Sequence, residues 1–163
     1  IVEEAEVEAE SIIEDAKAEA EQAIEREREQ RLSSANLQSK QQRLEARRDA
    51  LEAVKERVED EIESLDEDTR ESLTRALLEA GSAEFDETDA VKVYGRSADQ
   101  ALLEDILDAY EGYEFAGEHA CLGGVVLEGE AGRIRVDNTF DSQLDEVWDD
   151  HLKDVSEVLF EEQ

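Results

Sequence analysis

The sequence predicts an α+β protein, with a long N-terminal coiled-coil helix followed by a small mixed head in which helices flank an antiparallel sheet. Three observations carry this reading. The first glycine is Gly81 and the first aromatic is Phe85, so all 8 glycines and all 8 aromatics fall in the second half. There is no proline anywhere. Residues 1–80 are dominated by Glu, Ala, Arg, Gln and Leu, all strong helix formers, and short alternating runs bounded by glycine begin only afterwards. The boundary is expected at Ser64–Leu65, dividing a helical segment, 1–64, from a globular head, 65–163.

At about 1.5 Å per residue the first segment would extend about 100 Å, far beyond the average globular helix. Its apolar residues form a stripe. Ala5, Ala9, Ile12 and Ile13 recur eleven residues later as Ala16, Ala20, Ala23 and Ile24. Leu51, Ile62 and Leu73 make a second eleven-residue series, and Val54, Leu65 and Ala76 a third. Such a period favours a right-handed supercoil. Leu44, Leu51, Val58 and Leu65 also satisfy a seven-residue repeat, which leaves an ordinary coiled coil open. The sequence offers no second long helix to cover the stripe, so a partner is expected at Ile12, Ile13, Ile24, Leu51, Val54, Val58 and Ile62. Periodicity alone leaves that partner as a different polypeptide or a second copy, the latter making a generic homodimeric scaffold or adaptor. From Arg26 to Arg57 there are nine basic and six acidic residues. This window reads as a solvated face with i,i+4 charge pairs, or as a docking strip for an acidic partner helix.

Ser64 and Glu67 match a capping box, from which a helix should run from about Asp66 to Ala80. Val91–Tyr94 alternates like a strand, Asp99–Tyr110 has helical spacing, and Tyr113–Phe115 suits a short strand. Gly124–Glu128 and Arg133–Val136 flank a four-residue turn, Gly129 to Gly132, as a hairpin. A final amphipathic helix, capped by Asn138 or Thr139, aligns Phe140, Leu144, Val147, Trp148, Leu152, Val155, Val158 and Leu159. Trp148 and the other aromatics are expected to fill the core.

Composition excludes several functions. With 48 acidic against 17 basic residues, the net charge of −31 repels phosphate backbones and anionic lipid. The acid is spread over the chain, as in proteins soluble in concentrated salt, where the screening length at about 1 M is only about 3 Å. Split at the boundary, the helix carries 20 acidic and 10 basic residues and the head 28 and 7. Apolar runs of four residues or fewer are too short to span a bilayer. Ile1 opens the chain inside a helical pattern, so further residues are expected before it. A lone Cys121 forms no internal disulfide and points to a reducing compartment. His119 and Cys121 supply two zinc ligands where a structural site needs four, and read instead as edge-strand or loop residues. His151, among Asp149, Asp150 and Asp154, reads as a solvent-facing charge partner. No phosphate-binding glycine-lysine loop and no catalytic constellation is recognisable, and no cofactor or metal is expected.

The run Gly123-Gly124-Val125-Val126-Leu127-Glu128, followed by Gly132-Arg133-Ile134-Arg135-Val136-Asp137-Asn138-Thr139-Phe140 and Leu144, resembles the C-terminal signature of the E subunits of archaeal A-type ATP synthases and related V-type ATPases. Gln143 departs from it, standing where the family commonly has arginine, and puts in doubt any salt bridge built from that residue. The resemblance implies a non-catalytic peripheral-stalk protein that pairs with a second long-helix polypeptide, the H subunit in archaea and the G subunit in eukaryotes. It further implies that the stalk grips the A and B subunits of the catalytic headpiece, reaches the C subunit of the collar and the I subunit of the membrane, and resists rotor torque during proton-driven ATP synthesis. Its place would be the cytoplasmic face of the cell membrane, as a peripheral protein without membrane insertion. Gly123, Gly124, Asp137, Asn138, Thr139, Phe140 and Leu144 would then be structural residues of the head.

Overall fold

A computed structural model describes residues 2–86, 90–129 and 134–160, with side chains from Val7 onward. Helix α1, Val2–Glu63, is unbroken, as its lack of proline and glycine requires. Helix α2 (Glu67–Ser82) follows, then strand β1 (Val91–Gly95), a 3₁₀ turn (Ser97–Asp99), helix α3 (Gln100–Leu107), strands β2 (Tyr113–Glu118), β3 (Gly124–Gly129) and β4 (Arg135–Thr139), and helix α4 (Phe140–Leu159). The chain divides into two compact units, 1–50 and 51–163. In the first, nearly every described side chain is exposed.

The second unit is built on a four-stranded sheet in the order β2-β1-β3-β4. β3 runs antiparallel to both β1 and β4, forming the expected hairpin, whose turn at 130–133 lies outside the described residues. The sheet is mixed, because β2 pairs parallel with β1. The reason lies in the connection: α3 carries the chain back across the sheet, so the next strand re-enters in the same direction. Leu78 of α2 and Leu103, Ile106 and Leu107 of α3 pack with Val91, Val93, Val125 and Leu127 of the sheet to make the core. Phe85, Tyr110, Tyr113 and Phe115 pack around it. Trp148 is only half-buried on α4 and does not belong to this core. The stripe that contains it is covered at its start, by Phe140, and open further on, where Val147 is 56% and Val158 79% exposed.

Two helix starts show how local chemistry sets the boundaries. Thr139 caps α4, its hydroxyl accepting from the Ser142 N–H at 3.2 Å. The cap of α2 is Asp66 rather than Ser64. Helical winding continues through Ser64, whose N–H donates to the Asp60 carbonyl at 3.1 Å and whose hydroxyl donates to that of Glu61 at 3.1 Å. Asp66 is the extended residue before α2, and its carboxylate accepts from the Thr69 N–H at 2.9 Å and hydroxyl at 2.8 Å. The break also interrupts the eleven-residue series: Leu65 falls between the two helices, and Leu73 and Ala76 continue on α2. α3 ends at Leu107, short of the expected Tyr110.

The Thr69 N–H holds the Asp66 carboxyl below its ordinary 3.8, with the Thr69 hydroxyl adding to the effect. A depressed acid contributes stability that is present above its unfolded-state value and lost as pH falls through the folded value. Asp66→Ala should therefore lower the melting temperature at neutral pH, Asp66→Asn should keep most of it, and the wild-type advantage over Asp66→Ala should shrink in acid, as read by thermal melts from pH 7 to pH 2.

Candidate functional site

Helix α1 ends with carbonyls that its own turns leave open or, at Ile62, held only by the Leu65 N–H at 3.4 Å, and α2 supplies a closer donor. Arg70, one turn into α2, is 7% exposed. Its Nη2 donates to the carbonyls of Ile62 at 2.9 Å and Glu63 at 3.0 Å. Its Nη1 donates to Asp99 Oδ2 at 3.1 Å and to the Leu122 carbonyl at 2.8 Å, and its guanidinium lies 5.5 Å from the Phe140 ring centroid. One cation thus joins the end of α1, the start of α3, the loop before β3 and the start of α4. Arg96 reinforces the junction from outside, with Nη2 donating to Glu63 Oε1 at 3.2 Å.

The glycine motif makes room for this junction. Gly123 has φ +151, and a Cβ there would lie 2.5 Å from Arg70 Nη1 and 2.6 Å from Phe140. Gly124 has φ +79, and a Cβ would lie 2.6 Å from the Asn138 carbonyl oxygen. The Phe140 N–H donates to the Gly123 carbonyl at 3.0 Å. Asp137 Oδ1 accepts from the Thr139 hydroxyl at 2.8 Å, and Asn138 Nδ2 donates to the Leu77 carbonyl at 2.9 Å, tying β4 to α2. Asp141 Oδ2 accepts from the Leu122 N–H at 2.7 Å. Of the motif residues, Gly123, Gly124, Asp137, Asn138, Thr139 and Phe140 therefore form one hydrogen-bonded corner, while Leu144 lies outside it.

The partner-facing candidates separate into two groups. Ile12, Ile13 and Ile24 lie in the first unit and are 63%, 53% and 57% exposed. Leu51, Val54, Val58 and Ile62 lie in the second and are half-buried. Within that unit Ile62 joins Leu65, Leu73, Leu77, Leu144 and Val147 around an open, mainly apolar groove, which Val54 and Val58 extend along α1. Gln143 sits on its wall. Lys55 Nζ donates to Asp145 on α4, which holds the ammonium above its ordinary range; a raised lysine keeps this tie at neutral pH and loses it only in strong alkali. Leu77 and Val147 were not among the expected contact residues, because only the fold brings α2 and α4 beside the end of α1. Arg70 and Asp99 carry no sequence signal that separates them from surface charges.

Cys121 Sγ donates to the His119 backbone carbonyl at 3.5 Å, and burial pushes its thiol up, away from the thiolate form. Among the described residues no group of three or more His, Cys, Asp or Glu side chains is arranged to hold a metal. His151 pairs with Asp154 at 3.3 Å on the surface. No helix is long and apolar enough to cross a membrane among the described residues.

The fold and this corner define a long-helix protein with a small α+β head and a composite apolar surface where the two are joined. Comparison with known proteins gives the family. The sequence model of the family described as ATP synthase (E/31 kDa) subunit matches residues 1–160. The A-type ATP synthase E subunit of Halobacterium salinarum strain R1 is 61% identical over 137 residues, covering 84% of this chain and 70% of that protein. That of Haloarcula marismortui is 60% identical, covering 84% and 71%, and that of Methanocella arvoryzae is 34% identical, covering 82% and 67%. The chain belongs to the ATP synthase E-subunit family, and these relatives align it with the A-type branch.

Replacing Arg70 with Met should cost about 3–5 kcal/mol in denaturant unfolding, because Asp99 is left buried without its cation. Arg70→Met combined with Asp99→Asn should cost clearly less than Arg70→Met alone. Gly124→Ala should destabilise by about 2 kcal/mol or more, through its positive φ and the contact with the Asn138 carbonyl.

Proposed function

We propose that the chain is a stator component of the peripheral stalk of an A-type proton-translocating ATP synthase, itself non-catalytic. The observation that carries this reading is the unbroken 62-residue helix α1, with Ile12, Ile13 and Ile24 exposed along it, in a chain whose relatives are named as E subunits of A-type ATP synthases. A stator must carry load without yielding at one point. A helix free of proline and glycine has no intrinsic kink, and a second helix wound along its stripe would spread torsion over many contacts. Residues 1–64 supply the pairing segment in this reading, and residues 65–163 the head.

The partner helix is that of the second long-helix stalk protein, the H subunit, seated on Ile12, Ile13 and Ile24 and reaching Leu51, Val54, Val58 and Ile62 beside the groove. The head engages the A and B subunits of the catalytic headpiece, and the stalk continues to the C and I subunits. The chain would then sit at the cytoplasmic face of the cell membrane, held there through its partners. By keeping the headpiece still while the rotor turns, it lets ion flow appear as ATP and not as idle rotation.

The experiment is reconstitution with the H subunit in molar salt, followed by light-scattering mass. A stable one-to-one heterodimer is expected, and Ile12→Asn with Ile24→Asn should weaken it about tenfold or more, since each removes an apolar side chain from the seam. A monomer indifferent to the H subunit, or a homodimer that excludes it, would reject the stator reading.

A further inference from the structure

The distribution of charge along α1 identifies what its partner must carry. Acidic residues outnumber basic ones 48 to 17 in this chain, yet no carboxylate occurs between Glu29 and Glu45. These fifteen positions are the longest acid-free run in the sequence. Over residues 30–48 there are five basic residues, Arg31, Lys40, Arg43, Arg47 and Arg48, against Glu45 alone. The run lies wholly inside α1 and within the first compact unit.

Charge pairing within the helix accounts for the ends of this segment, where Arg31 pairs with Glu27 and Arg48 with Asp49, but not for its middle. Just before the segment Arg28 pairs with Glu25. Lys40, by contrast, has Asn36, Leu37, Arg43 and Leu44 at the positions three and four residues away, and Arg43 has Ser39, Lys40, Ala46 and Arg47. Neither makes an ion pair among the described residues. Like charges at these spacings destabilise a helix by a few tenths of a kcal/mol per pair, so the row of Lys40 and Arg43 opposes α1 when α1 stands alone. The row also has a definite position. Lys40 follows Leu37 by three residues and precedes Leu44 by four, which places it along the edge of the apolar stripe those two leucines form. Leu37 is 59% exposed and Leu44 57%.

We propose that residues 30–48 form an electrostatic key for an acidic amphipathic helix, with apolar residues over Leu37 and Leu44 and carboxylates against Lys40 and Arg43. This rests on the stator reading and adds to it the chemistry of the partner at this position and a reason for the choice of partner. Cations at the edge of a coiled-coil seam set partner and orientation. Two copies of this chain in parallel register would set Lys40 and Arg43 against themselves, and an antiparallel pair centred on the segment would do the same. The segment therefore selects against symmetric self-pairing, while an acidic helix relieves the repulsion already present in α1. In concentrated salt the screening length is only about 3 Å at 1 M, so the key acts through carboxylates in direct contact, which fixes register more sharply than a diffuse attraction could.

The test uses the full chain with the second long-helix stalk protein in molar salt. A zero-length carbodiimide, which joins an amine directly to a carboxylate, is expected to link Lys40 to an Asp or Glu of that protein, mapped by peptide mass spectrometry. Lys40→Gln with Arg43→Gln should raise the heterodimer Kd several-fold, and Lys40→Glu with Arg43→Glu by about tenfold or more, scaling from exposed ion pairs. Circular dichroism should show that neither variant loses helix content. A heterodimer whose Kd moves less than about twofold on charge reversal overturns the key and leaves the stator reading standing. Cross-links from Lys40 only to a second copy of this chain also overturn it. A wild-type chain that forms no heterodimer overturns both.

Discussion

The Arg70 guanidinium is the interaction on which the rest of this head depends. A helix that stops leaves carbonyls without donors, and here those of Ile62 and Glu63 are met by a side chain from the next helix. Because the same group also holds Asp99 and the Leu122 carbonyl, the end of α1 cannot shift without disturbing the entry to α3 and the loop before β3. The glycines follow from this arrangement. Gly123 has no side chain because Arg70 and Phe140 occupy the space one would need, and Gly124 takes a positive φ because the chain must turn at once into β3 beneath the Asn138 carbonyl.

A buried ion pair at the joint also makes sense of the charge outside it. Surface pairs such as Arg28 with Glu25 are open to solvent and contribute little, less still where salt screens them. Arg70 and Asp99 are shielded, with side chains 8% and 9% exposed, so concentrated salt leaves their attraction largely intact. The acidic coat, heaviest on the head, keeps the protein dissolved in such a medium, as suits a relative of haloarchaeal proteins. The cohesion of the joint comes instead from groups that salt does not reach.

The parts of this structure legible in the sequence were those set by local pattern. Helix α1 follows from composition, β1 and the β3–β4 hairpin from alternation between glycines, and Thr139 from its position before an amphipathic run. The parts that were not legible required contacts between distant residues. Nothing near Arg70 in sequence distinguishes it from the arginines of α1, since its burial depends on Asp99 and Leu122, 29 and 52 residues away. The parallel pairing of β2 depends on the path of α3. Trp148 lies on a stripe that looks like core by its spacing, but the small sheet is covered by α2 and α3 before α4 can reach it, and so most of that stripe stays open. Ser64 failed as a cap because its N–H and hydroxyl are still engaged with the last turn of α1, leaving Asp66 as the extended residue that caps α2.

The two apolar surfaces of the chain differ in what maintains them, and this bears on the order in which partners can bind. The groove around Ile62, Leu65, Leu77 and Leu144 draws its walls from α1, α2 and α4, so it exists only when the Arg70 corner is formed. A partner that fits it reads a folded head. The stripe through Ile12, Ile13 and Ile24 needs nothing but helix, yet an isolated helix in water gains most of its stability from packing and little from propensity. The first unit has exposed side chains almost throughout, so the order of that segment is the quantity a partner helix can raise most. On the stator reading proposed above, pairing would start at the half-buried residues Leu51 to Ile62, whose packing in the second unit already fixes part of the helix, and proceed toward the N-terminus.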